Sequence, residues 1–214
     1  MTGFREETAK KQNPDALEFG EDSETYKILQ DLGSRWHEAD PTEQARLHGV
    51  AEKVRRLARN GDSVVDKTEE IMGTMHKNAE TAKEYQNRMI EQIQAYPYLA
   101  TNSSPFLDSA LYLIKMVNRG PWDYKYDENW RVPMVNGKTT FDGYDLTQDN
   151  YRNYLEWMYF DGYLLGADKV GNMNMAYVGK KMGLPEWVYK NWWTTDKDDA
   201  EWVERGIGLA ESGR

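Results

Sequence analysis

Apolar residues recur every three or four positions over most of this chain, and this spacing constrains the fold more than any other feature. Such spacing places the apolar side chains on one face of an α-helix. The clearest stripes are Tyr26, Leu29, Leu32 and Trp36, then Leu47, Val50, Val54 and Leu57, then Leu107, Leu111, Ile114 and Val117. The chain is therefore predicted to be mainly α-helical, a single helical domain with one small β-hairpin inserted in it.

Helix start and stop signals predict the division of the chain. Residues 1–20 are polar and contain Asn13-Pro14, which is typical of a flexible segment. Asp40-Pro41 predicts the start of a helix with Asp40 as its N-cap, and Asn60-Gly61 predicts its end. We therefore predict a flexible segment and a helical hairpin in residues 1–62, and a main domain in residues 63–214.

The strongest β signal in the chain is the pair Asn136-Gly137. Runs typical of strands flank it at 131–135 and 138–141, and Asn-Gly between such runs predicts a hairpin. After the hairpin, Thr147 is predicted to cap a helix rich in aromatic residues. The small and amide residues of 171–179 predict a further helix that packs closely against its neighbours.

Composition excludes several classes of function. The 214 residues include no cysteine and only three histidines, which lie on separate predicted helices, so no metal site or cofactor is predicted. The acidic stretches 142–145 and 196–199 lack the ligand spacing of a calcium loop. The net charge of −9 disfavours a nucleic-acid substrate. No apolar run is long enough to span a membrane and no signal sequence is visible, so any export signal is expected elsewhere.

The run Gly120-Pro121-Trp122-Asp123-Tyr124-Lys125 is the main candidate for a functional site. It follows the helix that ends near Val117 and precedes the predicted hairpin. Alternation sends Trp122 and Tyr124 to one side of the chain and Asp123 and Lys125 to the other. The charges then lie in a cleft above packed aromatic rings, or they form only a structural ion pair.

Acidic residues near this run point to acid–base chemistry. Glycosidases of the lysozyme type share the layout of helix, turn, acidic hairpin and further helices, and they need two carboxyls in unlike environments. We predict Asp123 as a site carboxylate, with Glu128 or Asp142 as its partner and Asp145 nearby. Lys125 is a third catalytic candidate, because an ammonium beside an aspartate can bind a phosphate or an oxyanion, as in a ribonuclease.

Polar and aromatic side chains from three segments are candidates for binding a substrate. They are Trp122, Tyr124, Asn78, Asn172 and Asn174. The three asparagines alternatively serve as hydrogen-bonding groups between tightly packed helices.

Several blocks of this sequence resemble the bacterial polymorphic toxin type 44 domain, and they cover about residues 70–210. The most specific is Arg119-Gly120-Pro121-Trp122-Asp123-Tyr124-Lys125. The others are Met75 to Lys83, Gly171-Asn172-Met173-Asn174 with Gly179 and Gly183, and Asp196 to Ile207. Compared with the usual order of blocks in that family, residues 129–166 are predicted to form an insertion or an enlarged substrate wall.

The resemblance implies an antibacterial effector that is secreted or delivered by a specialised system, with a cognate immunity protein as its partner. The acidic, aromatic-rich composition favours a cell-wall target, so our leading hypothesis is hydrolysis of peptidoglycan glycan strands in the target cell envelope. The alternatives are a ribonuclease that acts in the cytoplasm and a non-enzymatic interaction module of a secretion or phage particle.

Overall fold

The structure, a computed structural model, describes residues 14–96, 104–134, 137–193 and 197–213. The chain divides into two compact units, Met1–Asp66 and Lys67–Arg214. Helices dominate both units, which confirms the mainly helical fold predicted from the apolar spacing. None of the helices in the described ranges combines the length and hydrophobicity that a membrane span requires.

The first unit consists of helices α1 (Pro14–Phe19), α2 (Glu24–Glu38) and α3 (Pro41–Arg59) and a short strand, β1 (Val65–Asp66). As predicted, Asp40 caps α3: its Oδ1 accepts hydrogen bonds from the backbone N–H groups of Thr42 and Glu43, both at 2.9 Å. The side chains that α2 and α3 bury include Ile28, Leu32, Val54 and Leu57.

The flexible segment predicted at the N-terminus lies partly outside the described residues, which begin at Pro14. The part that is described, α1, is helical instead of flexible. Two ion pairs hold it on α3: Arg55 binds both carboxylate oxygens of Asp15 at 2.8 Å, and Arg59 binds Glu18 at 2.6 Å. These pairs join residues about 40 positions apart, so local sequence signals do not reveal them.

The second unit is built around a central helix. Its helices are α4 (Thr68–Ala95), α5 (Pro105–Val117), α6 (Asp149–Arg152), α7 (Ala167–Lys181), α8 (Glu186–Trp193) and α9 (Lys197–Glu211). Helix α7 packs against α4, α5, α8 and α9, and all its residues from 173 to 179 are buried.

Small residues allow the close packing that the sequence predicts for α7. A Cβ atom on Gly206 of α9 would lie 2.2 Å from the backbone oxygen of Met173, and one on Gly179 would lie 2.6 Å from the ring of Tyr189. The buried face of α5 differs from the predicted one: Ala110, Leu113 and Val117 are buried, and Leu107 and Leu111 are exposed.

The predicted hairpin is present only in part: a strand at Thr140–Phe141 lies within the run predicted at 138–141, and the other strands lie elsewhere. Residues 131–134 form no strand, and Asn136 of the predicted turn lies outside the described residues. Strand β2 (Thr140–Phe141) pairs with β3 (Tyr144–Asp145), and β4 (Met158–Phe160) pairs with β5 (Tyr163–Leu165), both antiparallel.

Asp-Gly pairs form the turns of both hairpins. Asp142-Gly143 and Asp161-Gly162 have positive φ angles at both residues, as a tight two-residue turn requires. The aromatic helix predicted after Thr147 is wrong, since only the short α6 forms there and β4 follows it.

Candidate active site

The Gly-Pro-Trp-Asp-Tyr-Lys run folds back tightly onto the end of α5. A Cβ atom on Gly120 would lie 2.1 Å from the backbone oxygen of Lys115, so only glycine fits there. The Trp122 N–H donates to the backbone oxygen of Met116 at 2.8 Å, and the Asp123 N–H donates to that of Gly120 at 3.0 Å. A 3-10 turn, Tyr124–Tyr126, follows directly.

The predicted separation of aromatic and charged side chains is present, although the backbone is a turn and not an extended strand. Trp122 and Tyr124 are 6% and 3% exposed, whereas Asp123 and Lys125 are half-buried. Asp123 Oδ2 accepts a hydrogen bond at 2.9 Å from the backbone N–H of Arg119, and not from Lys125. Arg119 has a φ of 53°, the left-handed conformation that bends the chain toward the carboxylate.

A cavity of about 90 Å³ lies between this turn and the first half of α7. The turn and the end of α5 supply one wall, and α7 supplies the other. The lining residues are Val117, Asn118, Trp122, Asp123 and Lys125 on the first wall, and Asp168, Gly171, Asn172 and Met175 on the second.

Asp168 is the second carboxyl in this cavity, and it is not among the residues predicted from the sequence. It lies in the first turn of α7, where its N–H donates to the backbone oxygen of Asn153 at 3.3 Å. Its Oδ1 atom is shielded from solvent and has no hydrogen-bond partner among the described residues.

Burial raises the pKa of the Asp168 carboxyl. The backbone N–H of Lys169 and, more weakly, the ammonium groups of Lys169 and Lys125 oppose this rise. Gly166 leaves room for the carboxyl, because a Cβ atom there would lie 2.8 Å from Asp168 Oδ1. The local signal was an acidic residue within the apolar stretch from Leu164 to Val170, which is also the pattern of an ordinary first-turn acid.

Asn172 lies in the cavity wall, as predicted for a substrate-binding residue. It is half-buried, and its Nδ2 donates to Asp199 Oδ1 of α9 at 2.6 Å. This bond fixes the orientation of the Asn172 amide.

Three of the other predicted binding residues are buried and bonded to one another. Asn78 Nδ2 donates to the Tyr124 hydroxyl at 2.7 Å and to Asn174 Oδ1 at 3.0 Å. The exposed fractions of Asn78, Tyr124 and Asn174 are 7%, 3% and 0%. Burial raises the pKa of the Tyr124 hydroxyl, and the hydrogen bond from Asn78 partly offsets that rise. The prediction that these three side chains contact substrate is therefore wrong. Their role as hydrogen-bonding groups between packed helices, the alternative stated for the asparagines, is the one observed.

The predicted carboxylate partners of Asp123 do not line the cavity. Glu128 is ion-paired with Arg131 at 2.8 Å and with Arg152 at 2.7 Å. Asp142 lies in the turn between β2 and β3. Asp145 accepts hydrogen bonds from the backbone N–H and the hydroxyl of Thr147, which lower the pKa of its carboxyl. Asp168 takes the position in the cavity that is predicted from the sequence for Glu128 or Asp142.

Among the described residues, no three His, Asp or Glu side chains come together as metal ligands. Comparisons with family models, with curated proteins and with solved structures give no match for this chain.

Proposed function

We propose that this chain is a hydrolase that cleaves glycosidic bonds, with Asp168 as general acid and Asp123 as the second carboxylate. The observation that carries the proposal is that these two carboxyls line one cavity and have unlike surroundings. Asp168 has a shielded oxygen and a raised pKa. Asp123 is held on the opposite wall by a backbone N–H. Glycoside hydrolysis needs one carboxyl that keeps a proton and another that acts as a carboxylate.

Each group has a defined step in this reaction. The Asp168 carboxyl gives its proton to the glycosidic oxygen as the bond from that oxygen to the anomeric carbon breaks. The Asp123 carboxylate acts at the anomeric carbon, either by direct attack or by taking a proton from the attacking water. The Lys125 ammonium brings positive charge to a cavity that otherwise holds two acidic groups.

We further propose the glycan strand of peptidoglycan as the substrate, in the envelope of a target bacterium. The support is the sequence resemblance to an antibacterial toxin domain together with the net charge of −9, which disfavours phosphate backbones. The same resemblance supports a delivered effector with a cognate immunity protein as its partner. The cavity of about 90 Å³ accommodates only part of a sugar ring with its substituents, so the rest of the strand lies outside it.

The test is hydrolysis of purified sacculi, measured as release of reducing ends. We expect Asp168→Asn and Asp123→Asn each to lower the rate by about 10² to 10⁴-fold, the usual contribution of an acid–base group. Glu128→Gln is the matched control, because it changes a nearby carboxylate outside the cavity, and we expect it to keep the wild-type rate.

Two results would count against the proposal. Intact sacculi together with degraded RNA would favour a ribonuclease that uses Lys125 and Asp123. Equal activity of all three variants would remove the two aspartates from the reaction. Expression in the periplasm and in the cytoplasm separates the cases in cells, since a cell-wall hydrolase is toxic only in the periplasm.

A further inference from the structure

The buried cluster of Asn78, Tyr124 and Asn174 connects the two walls of the cavity. Tyr124 lies directly between Asp123 and Lys125, the two charged residues of the first wall. Asn174 is on α7, which carries Asp168 in the second wall. Asn78, on α4, donates to both Tyr124 and Asn174, so one amide group bridges the two walls.

Packing alone does not require these polar groups. The Tyr124 ring already packs against Trp130, with ring centroids 5.0 Å apart. Apolar side chains at all three positions together would fill the same space and leave no buried polar atom to pair. The Nδ2 atom of Asn174 is buried without a hydrogen-bond partner among the described residues. A buried donor without a partner lowers stability, so the cluster keeps a hydrogen bond between the walls at the expense of stability.

We propose that Asn78, Tyr124 and Asn174 are positioning residues that hold the Asp123–Lys125 turn at a fixed distance from Asp168. The catalytic consequence of this role rests on the proposed function, but the position of the turn can be tested without measuring enzymatic activity. None of the three contacts a substrate, because all three are buried. They act through the backbone of the turn, which the Tyr124 hydroxyl fastens to α4.

The ammonium of Lys125 reports on that distance, and its effect is the weakest of those that act on the pKa of the Asp168 carboxyl. It lowers the pKa of the Asp168 carboxyl, in opposition to the larger effect of burial. Lys169 acts in the same direction and is held by its ion pair with Glu156, so it is a constant background. If the turn moves away from α7, the contribution of Lys125 weakens and Asp168 titrates at a higher pH.

The experiment is a carboxyl ¹³C NMR titration of Asp168 in the wild type, Tyr124→Phe and Asn78→Ala. Tyr124→Phe removes one hydroxyl and keeps the ring. We expect both variants to raise the titration midpoint, because the positive charge of Lys125 moves away from the Asp168 carboxyl. The double variant should shift no more than Asn78→Ala alone, since the hydroxyl acts through that amide.

Tyr189→Phe is the matched control. Tyr189 is also a fully buried tyrosine of this unit, and its hydroxyl has no hydrogen-bond partner among the described residues. We expect it to leave the Asp168 midpoint unchanged. An unchanged midpoint in Tyr124→Phe and Asn78→Ala, or an equal shift in Tyr189→Phe, would overturn the proposal.

Kinetics on sacculi add the catalytic consequence. We expect Tyr124→Phe to lower kcat by roughly 10 to 100-fold, as small misplacements of catalytic groups do, and to leave KM within about twofold. A fall in thermal stability with an unchanged kcat would instead assign the cluster a purely structural role. If the wild type does not cleave sacculi, the proposed function fails, and the NMR titration still decides whether the cluster positions the turn.

Discussion

Gly171 offers the most direct test of whether the cavity is the functional site. It lies in α7 and lines the cavity, and a Cβ atom there would meet no other atom within 4 Å. Glycine inside a helix costs about 0.5–1 kcal/mol relative to alanine. Gly171→Ala should therefore stabilise the protein by about this amount and raise Tm by about 1–4 °C.

A larger side chain at the same position would occupy the cavity. A leucine side chain at Gly171 would occupy part of the cavity, because the space around the Cβ position is open. Gly171→Leu should thus obstruct the binding of a substrate group there. We expect the hydrolysis rate to fall by about 10²-fold or more, while thermal unfolding shows a stability at or above that of the wild type.

Gly73 provides the matched control for this experiment. It lies in α4 of the same unit, is exposed, and also has open space at its Cβ position. Gly73→Leu makes the same change of residue type in a helix without filling a cavity, so its activity should equal that of the wild type. Reducing-end release and thermal unfolding are measured on both variants. Equal activity of Gly171→Leu and Gly73→Leu would refute the assignment of the cavity.

Two further predictions concern stability. Burial raises the pKa of the Asp168 carboxyl. The contribution of this group to the free energy of unfolding is therefore fully present below the pKa of the unfolded chain, and it is lost as the pH rises through the folded-state pKa. Asp168→Asn should therefore stabilise the protein more at pH 7 than at pH 3, by about 1.4 kcal/mol per unit of difference between the folded-state and unfolded-state pKa of Asp168. Urea unfolding at the two pH values measures this effect. An equal effect at both would contradict the raised pKa. Gly206→Ala should destabilise by about 1–3 kcal/mol, because its Cβ would lie 2.2 Å from the Met173 backbone oxygen. Gly208→Ala, in the same helix with open space at its Cβ, should not.

Local signals predicted the helical elements well because their causes are local. The cap at Asp40 and the apolar stripe that buries Leu47, Val54 and Leu57 on α3 each depend on a few neighbouring residues, and the structure contains both. Asn136-Gly137 predicts a hairpin turn, but Asp142-Gly143, which carries the same kind of signal, is the pair that connects β2 and β3. Which pair forms a hairpin depends on the packing of the flanking segments, and this information is not local.

Only one of the two carboxyls in the candidate site could be predicted from the sequence, for the same reason. Asp123 was recognisable from its immediate surroundings, an aromatic-rich turn at a helix end. Asp168 is 45 positions further along the chain and looks like an ordinary acidic residue in the first turn of a helix. Its chemistry comes from burial of its Oδ1 atom, which depends on the folded contacts with Gly166 and Asn153. Glu128 was the better candidate by sequence distance, yet two arginines bind it.

The unpaired polar atoms of α7 argue that the demands on this helix go beyond stability. Asp168 Oδ1 and Asn174 Nδ2 are both shielded from solvent without a hydrogen-bond partner among the described residues, and both lie on the helix with the most buried positions. Each such atom costs about 1–3 kcal/mol, against a net stability of only about 5–15 kcal/mol for a typical domain. One of the two belongs to the cavity carboxyl, and the other to the cluster that joins the cavity walls. Within the described part of the chain, buried atoms without a partner also occur at Tyr189 and Arg205, so it is the location of the two α7 atoms, at the cavity and at the cluster that joins its walls, that favours α7 as the element around which the site is organised.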